Sequence, residues 1–277
     1  MAGMLYLVPT PIGNLGDISQ RCRETLEQAD FIAAEDTRVS LKLLNHLEIK
    51  KPLVSYYEHN RAESGPKILE RILAGETCAL VSDAGSPAIS DPGEDLVALC
   101  AKNGVTVSAI PGPCAAITAL SISGLPTGRF TFEGFLSTNK KSRLDHLNSL
   151  AGEQRTMIFY EAPHKLKNTL QDLLAAFGPA RRISLCRELT KLHEEVIRTT
   201  LQGAADYYEA QDPRGEYVLV LEGAAPSAEP ETTLEDALAL VAEKVARGLS
   251  RKDAVKQAAK ETGFPKNALY EASLRDE

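Results

Sequence analysis

The chain has 277 residues, 43% hydrophobic and 25% charged, which is enough to bury a sizeable core and suggests about two domains. Its formal net charge of -7 excludes a uniformly basic nucleic-acid binder, so any contact with nucleic acid has to use a local basic patch. The five cysteines, Cys22, Cys78, Cys100, Cys114 and Cys186, are odd in number and contain no Cys-x-x-Cys pair, which argues for a reducing compartment and against a disulfide framework or zinc site.

In chain order, Met4 to Val8 reads as a short strand ended by Pro9, and Ser19 caps a helix through about Gln28. Phe31 to Ala34 is a second strand, Ser40 to His46 a helix and Leu53 to Tyr57 a third strand ending in the polar loop Glu58 to Arg61. Glu63 to Ala74 has helical spacing, Cys78 to Val81 is a buried strand, Glu94 to Lys102 a helix and Val105 to Ile110 a fifth strand. This alternation predicts a parallel sheet covered on both faces. The break Gly124-Leu125-Pro126-Thr127-Gly128 marks a domain boundary, giving an N-terminal α/β domain over 1–124.

Beyond the break, 130–135, 156–160, 182–186, 194–200 and 216–221 read as strands of a mixed sheet, with a helix from His164 to Phe177 stopped by Gly178-Pro179. These form a second α/β domain over 125–226. Ala224 to Pro230 reads as a linker. A helical tail follows over 231–277, with helices at Leu234 to Gly248, Ser250 to Lys260 and from Pro265, in an arrangement like a helix-turn-helix.

Chemistry concentrates where strands end, the place where open α/β sheets bind ligands. The run Ser82 to Gly93 is made of small residues and two prolines, suited either to an ordinary turn or to a ligand that touches main chain. Val8 to Asp17 occupies the position of a phosphate-binding loop but lacks Gly-x-Gly-x-x-Gly and reads equally as a rigid turn. Glu35-Asp36-Thr37-Arg38 offers polar contacts or proton handling, or a helix cap at Asp36 or Thr37. Pro111-Gly112-Pro113-Cys114-Ala115-Ala116 lets a ligand approach a helix start. The loops after the first, second, third, fourth and fifth strands are expected to share one cleft. The histidines at 164 and 193 are candidate acids or bases, or surface residues. His, Cys and carboxylates never cluster at metal spacing, so no metal is expected. No signal peptide and no run of ~20 apolar residues is visible, so no membrane association is expected either.

Leu5 to Ile18, Ala33 to Arg38, Ser82 to Gly93, Pro111 to Ala116, Phe159-Tyr160-Glu161, Arg187-Glu188-Leu189-Thr190-Lys191 and Gly215-Glu216-Tyr217, in this order, resemble the tetrapyrrole methylase superfamily of class III S-adenosylmethionine-dependent methyltransferases. Within it, they are similar to the ribosomal RNA small subunit methyltransferase I (RsmI) family, over essentially the whole chain. The resemblance implies two α/β domains with S-adenosylmethionine between them and 2'-O-methylation of a cytidine in the decoding region of 16S rRNA, on naked rRNA or the 30S subunit, by a cytoplasmic homodimer. It implies cofactor contacts at Pro9, Gly85, Ser86, Pro87, Ile89, Ala115, Ala116, Tyr160 and Ala162, with Ser86 standing where many tetrapyrrole enzymes have Asp.

Asp36 is the expected base or orienting group for the hydroxyl, and Arg38 the expected phosphate contact. RNA contacts are expected from Lys140, Lys141 and Arg143 in an exposed loop, from Lys165, where the family tends to have Arg, and from Arg251, Lys252 and Lys256 in a tail that also carries Arg247, Lys260 and Lys266. A tetrapyrrole (precorrin-type) C-methyltransferase and a non-enzymatic RNA-binding ribosome-assembly factor are the alternatives.

Overall fold

In a computed structural model, described over residues 3–225 and 233–274, the strands form two five-stranded sheets. The first contains β1 (Met4–Leu7), β2 (Phe31–Ala34), β3 (Leu53–Ser55), β4 (Cys78–Val81) and β5 (Thr106–Ala109) in the order β3-β2-β4-β1-β5, all parallel. Every residue of β2 and β4 is buried, as a strand covered on both faces requires. Alternate residues serve opposite cores: Phe31 and Ala33 join Leu5, Leu80 and Leu96, whereas Ile32 and Ala34 join Val8, Ala79 and Val81. The covering helices are α1 (Gln20–Gln28), α2 (Thr37–His46), α3 (Arg61–Leu73) and α4 (Glu94–Lys102). The Ser19 hydroxyl caps α1 by accepting from the Cys22 amide, as expected.

Helix α5 (Ala115–Ile122) leads to the second sheet, made of β6 (Phe130–Phe135), β7 (Thr156–Glu161), β8 (Arg182–Arg187), β9 (Glu195–Thr200) and β10 (Tyr217–Leu221). Its order is β6-β7-β10-β8-β9; β6 and β7 are parallel and the other pairs antiparallel, so the sheet is mixed. One face is covered by α6 (Lys140–Ser149), α7 (Pro163–Phe177) and α8 (Leu201–Glu209), with Leu147, Leu170 and Leu201 in its core. The other face receives α5: Ala116, Ala119 and Leu120 pack on Ile158, Cys186, Val218 and Val220. The small residues of α5 allow this close approach, which sets one end of the mixed sheet opposite the carboxyl ends of the parallel strands.

Two expectations need correction. Lys140, Lys141 and Arg143 stand on α6, capped by Asn139, rather than in a loop. Arg143 is not a free cation: it is largely buried, its Nε lies 2.7 Å from the Asp172 carboxylate on α7, and it also donates to the carbonyls of Ser137 and Thr138. It clamps the α6 entry to α7.

Residues 1–224 form one compact unit and 225–277 a second. The second contains α9 (Leu234–Ala246), α10 (Arg251–Thr262) and α11 (Lys266–Ser273) around Ala237, Val241, Val255, Ala258 and Leu269. Thr233 and Asp236 form a capping box on α9, and Gly263 ends α10 in the left-handed region. The expected linker falls largely on 226–232, outside the described residues. Among the described residues no helix is long and apolar enough to cross a membrane.

Candidate active site

The cleft between the sheets contains a cavity of about 510 Å3. One wall is built by strand ends of the parallel sheet: Ile12 after β1, Glu35 after β2, Asp83 to Ser86 and Ile89 to Asp91 after β4, and Cys114 and Ala115 after β5. The other comes from the mixed sheet through Phe135, Tyr160, Glu161, Ala162, Leu189 and Lys191, with Glu216, Tyr217 and Val218 at the start of β10.

The loops of the first wall are tied to one another. Thr10 and Gly85 exchange backbone hydrogen bonds of 2.9 and 3.0 Å, and the Thr10 hydroxyl donates to the Ser82 carbonyl. The Ser86 hydroxyl donates to the Pro113 carbonyl at 2.9 Å, joining the loops after β4 and β5. Gly85 has φ +86, a region that suits glycine, and an added Cβ would sit 3.2 Å from Ile12 Cγ2.

The two walls also touch. An added Cβ on Gly13 would lie 2.5 Å from Lys191 Cγ and 3.1 Å from the Leu189 carbonyl oxygen, so only glycine permits this approach. Tyr160 Oη accepts the Ala116 backbone N–H at 3.1 Å, and its ring packs edge-on against Phe132 and Phe135. Burial, with the nearby Cys114 and Asp91, pushes the Tyr160 phenol up to about 12, so it stays protonated at neutral pH. Of the four non-glycine residues with positive φ among the described residues, Ala88, Glu188 and Thr190 lie in the loops that border the cavity, the kind of site where backbone strain collects.

Among the expected cofactor residues, Gly85, Ser86, Ile89, Ala115, Tyr160 and Ala162 line the cavity. Ala116 sits just behind, bonded to Tyr160. Pro9 and Pro87 are buried and do not line it; Pro9 packs against Gly112, where an added Cβ would lie 2.7 Å from the Pro9 Cβ. The loop after β3 also contributes nothing to the lining; its Arg61 instead pairs with Glu58 and Asp95.

Asp36 and Arg38 are likewise outside the lining, and their geometry gives them a different task. The Asp36 carboxylate caps α2 by accepting the Arg38 amide at 2.8 Å, and pairs with the Arg38 guanidinium at 2.6 and 3.0 Å. These Arg38 hydrogen bonds hold the Asp36 carboxyl down at about 2, which makes it a weak proton acceptor. Arg38, 87% exposed, is held by this pair with its cationic surface toward solvent.

Sequence reasoning placed Glu35 in the Glu35-Asp36-Thr37-Arg38 motif but gave the proton role to Asp36, and it assigned no role to Phe135, Leu189, Lys191 or Glu216. Lys191, held at 2.9 Å by both Glu188 and Glu216, belongs to a motif that carries the family resemblance and ends a strand, a signal that could have found it. Lys165, in the first turn of α7, is half-buried and not in the lining. No histidine lines the cavity, and among the described residues no group of three His, Cys, Asp or Glu could hold a metal ion.

Comparison with known proteins places this geometry. The family model for Tetrapyrrole (Corrin/Porphyrin) Methylases matches residues 4–205, and that for the RsmI C-terminal HTH domain matches 224–276. Among curated relatives, the ribosomal RNA small subunit methyltransferase I of Synechocystis sp. is 50% identical, covering 98% of both chains. That of Halalkalibacterium halodurans is 48% identical, covering 97% of this chain and 93% of the relative. Among solved structures, a diphthine synthase aligns with a TM-score of 0.61 at 15% identity, over 80% of this chain and 90% of its own. Uroporphyrin-III C-methyl transferase from Thermus thermophilus complexed with S-adenyl homocysteine aligns at 0.55 and 19%, over 79% and 97%. At such identities these two structures speak for the fold alone. Matched along nearly its whole length and by both family models, the chain belongs to the ribosomal RNA small subunit methyltransferase I family, within the tetrapyrrole methylases.

Proposed function

We propose that this protein uses S-adenosylmethionine to methylate the 2'-hydroxyl of a cytidine in the decoding region of 16S rRNA. The observation that carries the reading is the joining in one chain of a methylase core, matched over 4–205, to an RsmI-type helix-turn-helix unit, matched over 224–276. The tetrapyrrole alternative fits less well, since the RsmI C-terminal unit at 224–276 lies beyond the methylase match at 4–205.

The cavity suits the cofactor in size and chemistry. About 510 Å3 falls in the usual range for small-molecule sites, roughly 300–1,000 Å3. Ile12, Ile89, Ala115 and Phe135 supply apolar surface, and the bare main chain at Gly85 supplies polar contact. Gly85, Ser86, Ile89, Ala115, Tyr160 and Ala162 would hold the cofactor, with Pro9 and Pro87 supporting them from behind. When bound, its sulfonium supplies an electrophilic methyl group, so the protein's own work is to align the hydroxyl and accept its proton. Arg38, oriented by Asp36, takes a phosphate of the RNA. Lys140, Lys141 and Lys165 on the first unit, and Arg251, Lys252 and Lys256 on the second, add cationic contacts.

The test is incubation with methyl-labelled S-adenosylmethionine and either 30S subunits or naked 16S rRNA, followed by alkaline hydrolysis. A 2'-O-methyl blocks strand cleavage at its own ribose, so label is expected in an alkali-resistant dinucleotide containing cytidine. Label on a base, label only in an added porphyrinoid, or tight RNA binding without transfer would each overturn the proposal. Arg38→Ala is expected to raise KM for RNA with little change in cofactor affinity.

Tyr160→Phe removes the acceptor for the Ala116 amide and is expected to weaken binding of S-adenosylhomocysteine roughly fivefold by calorimetry, the effect of about 1 kcal/mol for one hydrogen bond. An unchanged Kd would detach this bond from the cofactor site.

A further inference from the structure

We infer that Glu35, at the carboxyl end of β2, is the group that accepts the proton from the methylated hydroxyl. This rests on the RNA 2'-O-methylation reading above. Seven carboxylates or phenols line the cavity: Glu35, Asp83, Asp91, Tyr160, Glu161, Glu216 and Tyr217, the last of which accepts the Arg214 amide. Most already have a task. The buried Glu161 accepts the Thr169 hydroxyl at 2.5 Å and the Ala162 amide at 2.9 Å. Glu216 is paired with Lys191. Asp83 accepts the Asp36 amide at 3.1 Å and feels the Arg38 charge, and Asp91 takes a hydrogen bond from Ser82. Tyr160 accepts the Ala116 amide. Glu35 is half-buried and lines the cavity; it takes a hydrogen bond from the Asp83 backbone amide but has no partner among the side chains and no ion pair among the described residues.

The groups facing Glu35 sharpen the choice. They are acidic throughout: Asp91 and Asp83 from the loop after β4, and Asp36 from the start of α2. Burial first, then these charges, raise the Glu35 carboxyl above its ordinary value, with a partial offset from the Asp83 backbone amide. A raised carboxylate is the stronger base, in contrast to Asp36. As the ribose oxygen forms its bond to the methyl carbon, the C–S pair departs with sulfur. The O–H pair stays on oxygen, and the proton passes to Glu35 and then to solvent.

The sign of the pH dependence follows. Glu35 works only when ionised, so the single-turnover rate on 30S subunits should rise with pH through a pKa above the usual carboxylate range and then level off. Glu35→Gln should lower that rate by roughly 10²–10⁴ and abolish the acid limb. Binding of S-adenosylhomocysteine by calorimetry should stay within about threefold of wild type, an unchanged binding energy of the kind that marks a group acting in the chemical step. Glu35→Asp should retain the acid limb at reduced rate, and Asp36→Asn should retain it too.

A second readout needs no turnover: a carbon-13 titration of glutamate carboxyls, with Glu35 assigned through Glu35→Asp, should show it titrating above the ordinary range. Full rate and an intact acid limb in Glu35→Gln, or ordinary titration of Glu35, would overturn the assignment. If wild type places no label on ribose, the functional reading itself fails and Glu35 loses its substrate. That result is distinct from active wild type with an unaffected variant.

Discussion

Gly85→Val should cost the protein most of its cofactor affinity and a measurable part of its stability. Gly85 sits at φ +86, where a β-branched residue is strained by about 1–3 kcal/mol. Its backbone is locked there by the paired hydrogen bonds to Thr10, so the strain cannot be relieved by rotation without breaking them. The new side chain would press on Ile12 and project beside the Pro113 carbonyl, at the cavity wall. We expect Tm to fall by about 3–10 °C, taking roughly 2–4 °C per kcal/mol for a unit of this size. We expect the Kd for S-adenosylhomocysteine to rise at least about tenfold, because the new side chain takes up space at the cavity wall and a loss of about 1.4 kcal/mol of binding energy is already tenfold. Adding Ile12→Ala relieves the contact but not the torsion, so it should restore little. A Gly85→Val protein with wild-type Kd would move the cofactor site away from this loop.

The second large effect is electrostatic. Lys252, Lys256 and Lys260 recur every four residues along α10, about 6 Å apart, on the face opposite buried Ala254, Val255 and Ala258. All three are exposed and carry no ion pair among the described residues, whereas Lys244 and Arg247 are paired with Glu261 and Glu243. On a chain of net charge -7, this stripe is where phosphate can be held. Replacing the three by alanine should weaken rRNA binding roughly a hundredfold at physiological salt. It should also flatten the slope of log K against log salt by about 2, as loss of three single-strand phosphate contacts requires. Cofactor binding should not change. An unchanged salt slope would show that the stripe is merely a solvated helix face.

The strands of the parallel sheet were legible in the sequence because they are short apolar runs closed by prolines, glycines or polar loops. Helix α4 was readable to the residue, since Glu94 and Asp95 mark its first turn and Lys102 its last. Helix α6 was missed because it buries only Leu147, so its lysines, serines and asparagine read as loop. Helix α8 was missed because it begins at Leu201 directly after β9, with Thr200 both ending the strand and capping the helix.

The cavity wall after β4 was recognisable from its small residues, but the roles of charged groups were not. Asp36 and Glu35 are adjacent in sequence and opposite in environment. One is lowered by its own neighbour Arg38; the other is raised by burial and by Asp91, which lies far along the chain. Arg143 read as a surface cation because its partner Asp172 is 29 residues away.

The ties among Thr10, Gly85, Ser82, Ser86 and Pro113 bear on the thermodynamics of ligand capture. Loops that are ordered only by a ligand charge their lost backbone entropy, about 1–2 kcal/mol per residue, against its affinity. Here that ordering is completed when the chain folds. Binding energy from the cavity is then left for orienting the reacting groups, and loss of a single tie is felt in ligand affinity before it is felt in the fold.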